Sequence, residues 1–261
     1  MIRREFFIMK GHLIENMTHF EVKELLGKDT IVVIPVGGGV TPHGRHLPMG
    51  TDMMISQYLA DKVTEKTDVI TVPILSYSNY HSFLGMDATV SLEARTFIDV
   101  IKDICISFCC HGVRKFVVIN EGEDSIPPLY TVATEMNNEW NAKVAIALGG
   151  LGSKAAREVL ENKSGSHAGE RDTSIILHLC PELVHMDKAE AGLRPAIENQ
   201  FVGPRGFMTH YITRCFRNTE NTVDGDPTKA TADKGKAILD CMVDDIVYFI
   251  DNFREFEITT Y

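Results

Sequence analysis

Thr30-Ile31-Val32-Val33-Ile34-Pro35-Val36, followed by Gly37-Gly38-Gly39, is the stretch that decides how this chain folds. A run of β-branched residues with no polar side after every second position suits a strand buried on both faces, as in a parallel sheet covered by helices. The pattern repeats outward from it. Residues 52–64 place Met54, Ile55, Tyr58, Leu59 and Val63 on one helical face. Residues 68–74 read as a second strand. A long helix from Ser91 carries Phe97, Ile98, Ile101, Ile104 and Cys105 inward and stops at Gly112, a residue suited to a helix C′ position. Residues 115–120 read as a third strand, 127–141 as a helix, 143–148 as a fourth strand, and 168–179 and 230–253 as further helices. Strands alternating with helices make a parallel sheet with right-handed crossovers the economical solution. The expected fold is α/β, a three-layer α/β/α sandwich with a mostly parallel central sheet, as one domain over residues 1–261. The stretch 191–227, rich in Gly, Pro and Thr, reads as an excursion from that domain.

Composition narrows the function. The 261 residues are 44% hydrophobic and 24% charged, enough apolar material for a large core. Acids outnumber bases 36 to 26, a net charge of -10, which argues against nucleic acid as a partner because phosphate neutralisation needs a basic stripe. No apolar run approaches the ~20 residues of a membrane span. The N-terminal apolar stretch is broken by Glu5 and Lys10 and lacks a small-residue cleavage site, so no signal peptide is expected and the chain reads as cytoplasmic. Cys105, Cys109, Cys110, Cys180, Cys215 and Cys241 contain no C-x-x-C pair, and they read as reduced, structural thiols.

Ligands of parallel sheets bind beyond the carboxyl ends of the strands, and three polar clusters fall there. The first, Thr41-Pro42-His43-Gly44-Arg45-His46 on to Asp52, offers imidazole and carboxylate donors in a glycine-rich loop, which suits Zn²⁺, Mn²⁺ or Fe²⁺. The bland reading is that His43 and His46 bond loop backbone while Asp52 caps the next helix. The second, Asn120-Glu121-Gly122-Glu123-Asp124-Ser125, holds three carboxylates that repel one another unless a cation intervenes; otherwise it is a solvated acidic turn. The third, His167-Ala168-Gly169-Glu170-Arg171-Asp172, pairs a general acid/base candidate with carboxylates; otherwise it is a helix start with Arg171 pairing an acid on the surface. Gly150-Leu151-Gly152-Ser153-Lys154-Ala155 fits G-x-G-x-x-A, but no strand ending in an acid follows at dinucleotide spacing, and it is kept as a runner-up site.

At these clusters the sequence resembles the creatininase (creatinine amidohydrolase) family. Pro35-Val36-Gly37 and His43-Gly44-Arg45-His46-Leu47-Pro48-Met49-Gly50-Thr51-Asp52 follow its first motif. The stretch from His167 to Ser174 follows its H-A-G-E-x-E-T-S motif, and Gly225-Asp226-Pro227 on to Gly235 follows its late G-D-P signature. The loop from Ser76 to Ser91, with His81 and Phe83, is similar to its S-x-x-H-x-F loop. The resemblance implies a homohexamer and metal-dependent hydrolysis of small cyclic amides by a pair of divalent ions bridged at Asp52. One of those ions is completed through His43 and a carboxylate at Asp124. The donors of the other ion are lost: Thr41 stands where the family has Glu, and Asn120-Glu121-Gly122 lacks the histidine of N-G-H. The expectation is therefore one ion rather than two, Zn or Mn or else Fe, held by His43, Asp52 and Asp124 with Glu121 as an added ligand. His167 would act on protons, aided by Glu170 or Glu123. The substrate expected is a small polar ring. Alternatives are a ring-opening hydrolase of an inositol- or sugar-derived cyclic ketone, and a degenerate scaffold that binds a metabolite without turnover.

Overall fold

The computed structural model describes residues 9–147, 152–162, 167–192 and 221–256. Five parallel strands form one sheet in the order β1-β3-β2-β4-β5: β1 His12–Leu13, β2 Ile31–Val36, β3 Ile70–Thr71, β4 Lys115–Asn120 and β5 Lys143–Ala147. The helices are α1 His19–Leu25, α2 Thr51–Lys66, α3 Ala94–Cys109, α4 Ile126–Trp140, α5 Ser153–Val159, α6 Glu170–Leu179 and α7 Ala232–Arg254.

Alternation along the central strands sorts the core into two layers. Ile31, Val33, Val117 and Ile119 face Ile55, Leu59, Ile175, Ile238 and Met242 from α2, α6 and α7. Val32, Ile34, Phe116 and Val118 face Phe97, Ile101, Leu129 and Val132 from α3 and α4. Each such side chain removed fully from water contributes ~1.5–3 kcal/mol, so the sheet is held from both faces and the α/β/α sandwich follows.

Chain order places the site. From β2 the chain crosses to β3 on one side and then, through α3, to β4 on the other, so the connections diverge between the carboxyl ends of β2 and β4. The second strand is shorter than its apolar run. Pro73 has no N–H to donate, and pairing with β2 resumes at Leu75, whose amide meets Pro35 O at 3.0 Å. The short elements β1, α1 and α5 carry no strong sequence pattern. Leu148 of the expected fourth strand, Cys215, and most of the excursion at 193–220 lie outside the described residues. Among the described residues no helix is long and apolar enough to cross a membrane.

The glycine-rich run at 150–155 does not present an open phosphate cradle where it is described. Gly152 sits at φ 67°, and its amide donates to Oδ2 of Asp245 on α7 at 2.8 Å. A carboxylate already fills the position an anionic ligand would take. Gly150 and Leu151 lie outside the described residues.

Candidate metal and catalytic site

The loop after β2 folds back so that His43 meets Asp52 at the start of α2. His43 Nε2 lies 3.1 Å from Asp52 Oδ1, and His43 Nδ1 lies 3.0 Å from Thr41 O. Carbonyl and carboxylate oxygens only accept, so Nδ1 donates to Thr41 O and Nε2 donates to Asp52 Oδ1, an ion pair between imidazolium and carboxylate. Asp52 does not cap α2: Gly50 is the N-cap residue, and no side-chain cap bond forms. Its Oδ2 is buried with no hydrogen-bond partner. Gly38 leaves room for it, since a Cβ there would stand 2.2 Å from that oxygen. Burial opposes charge on both groups, but each offsets that for the other. Asp52 lifts the His43 pKa above its ordinary value, and His43, with smaller help from His167 and Tyr80, holds Asp52 below the usual carboxylate range.

His167 reaches the same place from the loop before α6. Its ring centroid is 4.2 Å from that of His43 and 4.6 Å from that of Phe83. Its Nε2 is 2.8 Å from Pro42 O, which assigns the proton to Nε2 and leaves Nδ1 as the basic nitrogen. Burial, reinforced by the neighbouring His43, lowers its pKa to about 4, so the ring is neutral at pH 7. The following residue, Ala168, takes a left-handed φ of 52°, a strained conformation for a residue with a Cβ. Its amide is held by Oδ2 of Asp172 at 2.8 Å.

His46 is buried beside these groups but serves the loop: Nε2 contacts Thr173 Oγ1 at 2.9 Å, and its carbonyl accepts from the His185 amide. Burial and the nearby His43 lower its pKa to about 4. A neutral, hydrogen-bonded histidine fastening the loop to α6 is the bland reading, and for His46 it stands.

The other expected site residues are placed differently. Asp124 is buried, but its carboxylate accepts from the Ser82 amide and, at 2.8 Å, from Ser82 Oγ. Among the described residues no three His, Cys, Asp or Glu side chains converge closely enough to hold an ion. Asp124 is therefore not gathered with His43 and Asp52 in this conformation. Glu121 is engaged by Arg171 at 3.1 Å. Glu123 is exposed at the rim. The expectation that Glu170 assists His167 is corrected by its partners: Lys234 Nζ at 2.7 Å and the amides of Glu161 and Asn162 at 3.2 and 2.7 Å. Its carboxylate ties α6 to α7 and the end of α5. Arg171, read as a surface partner, joins Glu121 to Asp172, whose side chains are only 4% and 12% exposed.

Two contributors escaped the sequence reading. Tyr80 is buried with its ring against Gly122, and Ser82 clamps Asp124. Both flank His81 in the loop already singled out, which was the available signal.

With this geometry in place, the comparisons agree on one assignment. Residues 15–250 match the family described as Creatininase: Creatinine amidohydrolase. The chain belongs to the creatininase family. It is 28% identical over 190 residues to the 3-dehydro-scyllo-inosose hydrolase of Thermotoga maritima, covering 69% of this chain and 60% of that protein. It is 26% identical over 238 residues to the mycofactocin precursor peptide peptidase of Mycobacterium ulcerans, covering 83% and 82%. A solved structure described as creatininase Mn superposes with a TM-score of 0.72 at 20% identity, covering 94% of this chain and all of that one. Another, described as a Zn-Zn type mutant creatininase, superposes with a TM-score of 0.73 at 19% identity, covering 93% of this chain and 98% of that one. The relatives thus include an inosose hydrolase and a precursor peptide peptidase, and the family assignment alone selects no substrate.

Proposed function

We propose that this protein is a metal-dependent hydrolase that attacks the carbonyl of a small polar substrate. The observation that carries the reading is the His43–Asp52 pair. A backbone carbonyl holds the Nδ1 proton of His43, so an ion would bind at Nε2 in place of its proton, beside a carboxylate whose second oxygen is buried with no hydrogen-bond partner. An imidazole and a carboxylate are donors of the kind Zn or Mn takes, and coordination would relieve the cost of leaving Asp52 Oδ2 unpaired, with a third donor brought in on binding. His43 and Asp52 would hold the ion, and Asp124, hydrogen-bonded by Ser82 as ligating carboxylates commonly are, is the third candidate. When bound, such an ion polarises a carbonyl and lowers the pKa of water toward ~7.

The chain's own groups supply the rest. His167, with its Nε2 proton committed to Pro42 O, takes a proton at Nδ1 from the attacking water and returns it to the leaving group. Phe83 and Tyr80 pack beside it and limit access of bulk water. Glu123, exposed at the rim, would contact substrate rather than the ion.

Cyclic substrates are the class this reading favours, either a cyclic amide or an inositol-derived cyclic ketone. The relationship to the Thermotoga inosose hydrolase supports the second. Assembly as a hexamer in the cytoplasm belongs to the same reading. The test is elemental analysis of protein purified without chelator, then turnover of creatinine, hydantoin-type amides and 3-dehydro-inosose. Metal in the wild type that is absent from Asp52→Ala, with ring opening that tracks it, is the expected result. Metal-free protein whose melting temperature ignores added Zn²⁺ and Mn²⁺ would support the scaffold reading instead.

A further inference from the structure

At two positions near the pair this chain offers no donor to a second ion, and at a third a guanidinium stands between two carboxylates. A Cβ at Gly122 would lie 2.8 Å from Tyr80 Cε2, so the tyrosine ring already fills the volume a side chain there would need. Thr41 presents a buried hydroxyl, without a hydrogen-bond partner, and not a carboxylate. Between Glu121 and Asp172 stands a guanidinium. Arg171 Nη2 lies 3.1 Å from Glu121 Oε2, and Nη1 lies 3.0 Å from Asp172 Oδ1. The sulfur of Met242, 3.4 Å from Nη2, closes the same pocket on the α7 side.

We infer that Arg171 is a permanent, protein-supplied cation in place of a second metal ion, so that the site holds one ion where a relative of known structure is of Zn–Zn type. This rests on the reading that His43 and Asp52 hold the first. Two buried carboxylates a guanidinium's width apart are a cation site in their own right, and Glu121 Oε1 is buried with no hydrogen-bond partner. A divalent ion binds carboxylate oxygen at ~2.0–2.2 Å, inside the volume the guanidinium nitrogens occupy, and like charge excludes both from one place. Arginine does not deprotonate in proteins, so the substitution holds at every working pH. Both oxygens of Asp172 are committed, Oδ1 to Arg171 and Oδ2 to the Ala168 amide, so the same cation steadies the left-handed turn that carries His167.

The test is metal stoichiometry, read by calorimetric titration of metal-free protein with Mn²⁺ or Zn²⁺ and by elemental analysis after desalting. Wild type is expected to take up one ion per chain, Arg171→Met two, and the double variant Arg171→Met with Glu121→Gln one again. Wild type with two ions overturns the inference, and that arm does not depend on how any variant folds. Folded Arg171→Met, checked by circular dichroism, that still binds one ion overturns the inference while leaving the proposed function standing. Wild type that binds none overturns the proposed function itself.

Discussion

Alanine at position 38 tests the metal site while leaving every proposed donor chemically intact. A methyl on Gly38 would lie 2.2 Å from Asp52 Oδ2 and 2.8 Å from both its Cβ and Cγ. Non-bonded atoms settle at ~3.5–4 Å, so the nearer carboxylate oxygen must retreat by ~1.3–1.8 Å. It cannot do so by moving α2, because Ile55 and Leu59 on that helix are buried against the sheet. Gly38 is not in the left-handed region, so alanine adds no backbone strain. Overpacking costs ~1–3 kcal/mol of stability and leaves a protein of this core size folded at room temperature. Metal affinity suffers more selectively. Misorienting a metal-binding group typically weakens binding ~10–100-fold, equivalent to ~1.4–2.8 kcal/mol. Calorimetric titration of metal-free wild type and Gly38→Ala with Mn²⁺ at 25 °C reads this directly. Unchanged affinity in a folded Gly38→Ala protein would show that Asp52 is not a ligand.

Other consequences can be measured separately. His43→Ala is expected to abolish metal uptake in elemental analysis while preserving the far-ultraviolet dichroism, because its ring bonds only the loop and Asp52; retained metal would remove His43 from the ligand set. Lys234→Met leaves the Glu170 carboxylate, 1% exposed, without its ammonium partner and is expected to lower stability by ~3 kcal/mol in urea unfolding. A loss below ~1 kcal/mol would show that the two amides suffice. Burial disfavours charge on Glu170, but Lys234 and the amides of Asn162 and Glu161 outweigh it and depress its pKa. Stability from a depressed carboxyl is complete above the unfolded value of ~4.3 and fades as pH falls through the folded value. The melting-temperature gap between wild type and Glu170→Gln should therefore be widest above pH ~5 and narrow in acid, and a gap constant down to pH ~3 would contradict the assignment. Light scattering is expected to report a hexamer; a monomer at micromolar concentration would remove assembly from the proposal.

What the sequence shows clearly is what one strand or helix imposes on its own side chains. The run from Ile31 to Val36 is apolar at every position because helices cover both faces, and that is visible without coordinates. The pairing of His43 with Asp52 is nearly as legible, since they stand nine positions apart across a short glycine-containing loop. What stays hidden is the partner an acid finds across the fold. Glu170 follows His167 by three residues, yet its helix turns it toward Lys234, 64 residues on. Asp124 sits among like charges, yet it is secured by Ser82, 42 residues earlier. Arg171 shows most clearly why such partners resist prediction. In one dimension it is a cation between two acids at a helix start, a pattern common on surfaces. Only the packing of α6 against α7, and its approach to the loop after β4, carries it to Glu121 and buries both acids. The missing donors at positions 41 and 122 are visible as losses. The guanidinium that answers the loss lies 50 residues beyond Glu121 along the chain, and farther still from Thr41, where nothing local marks it as belonging to the same site.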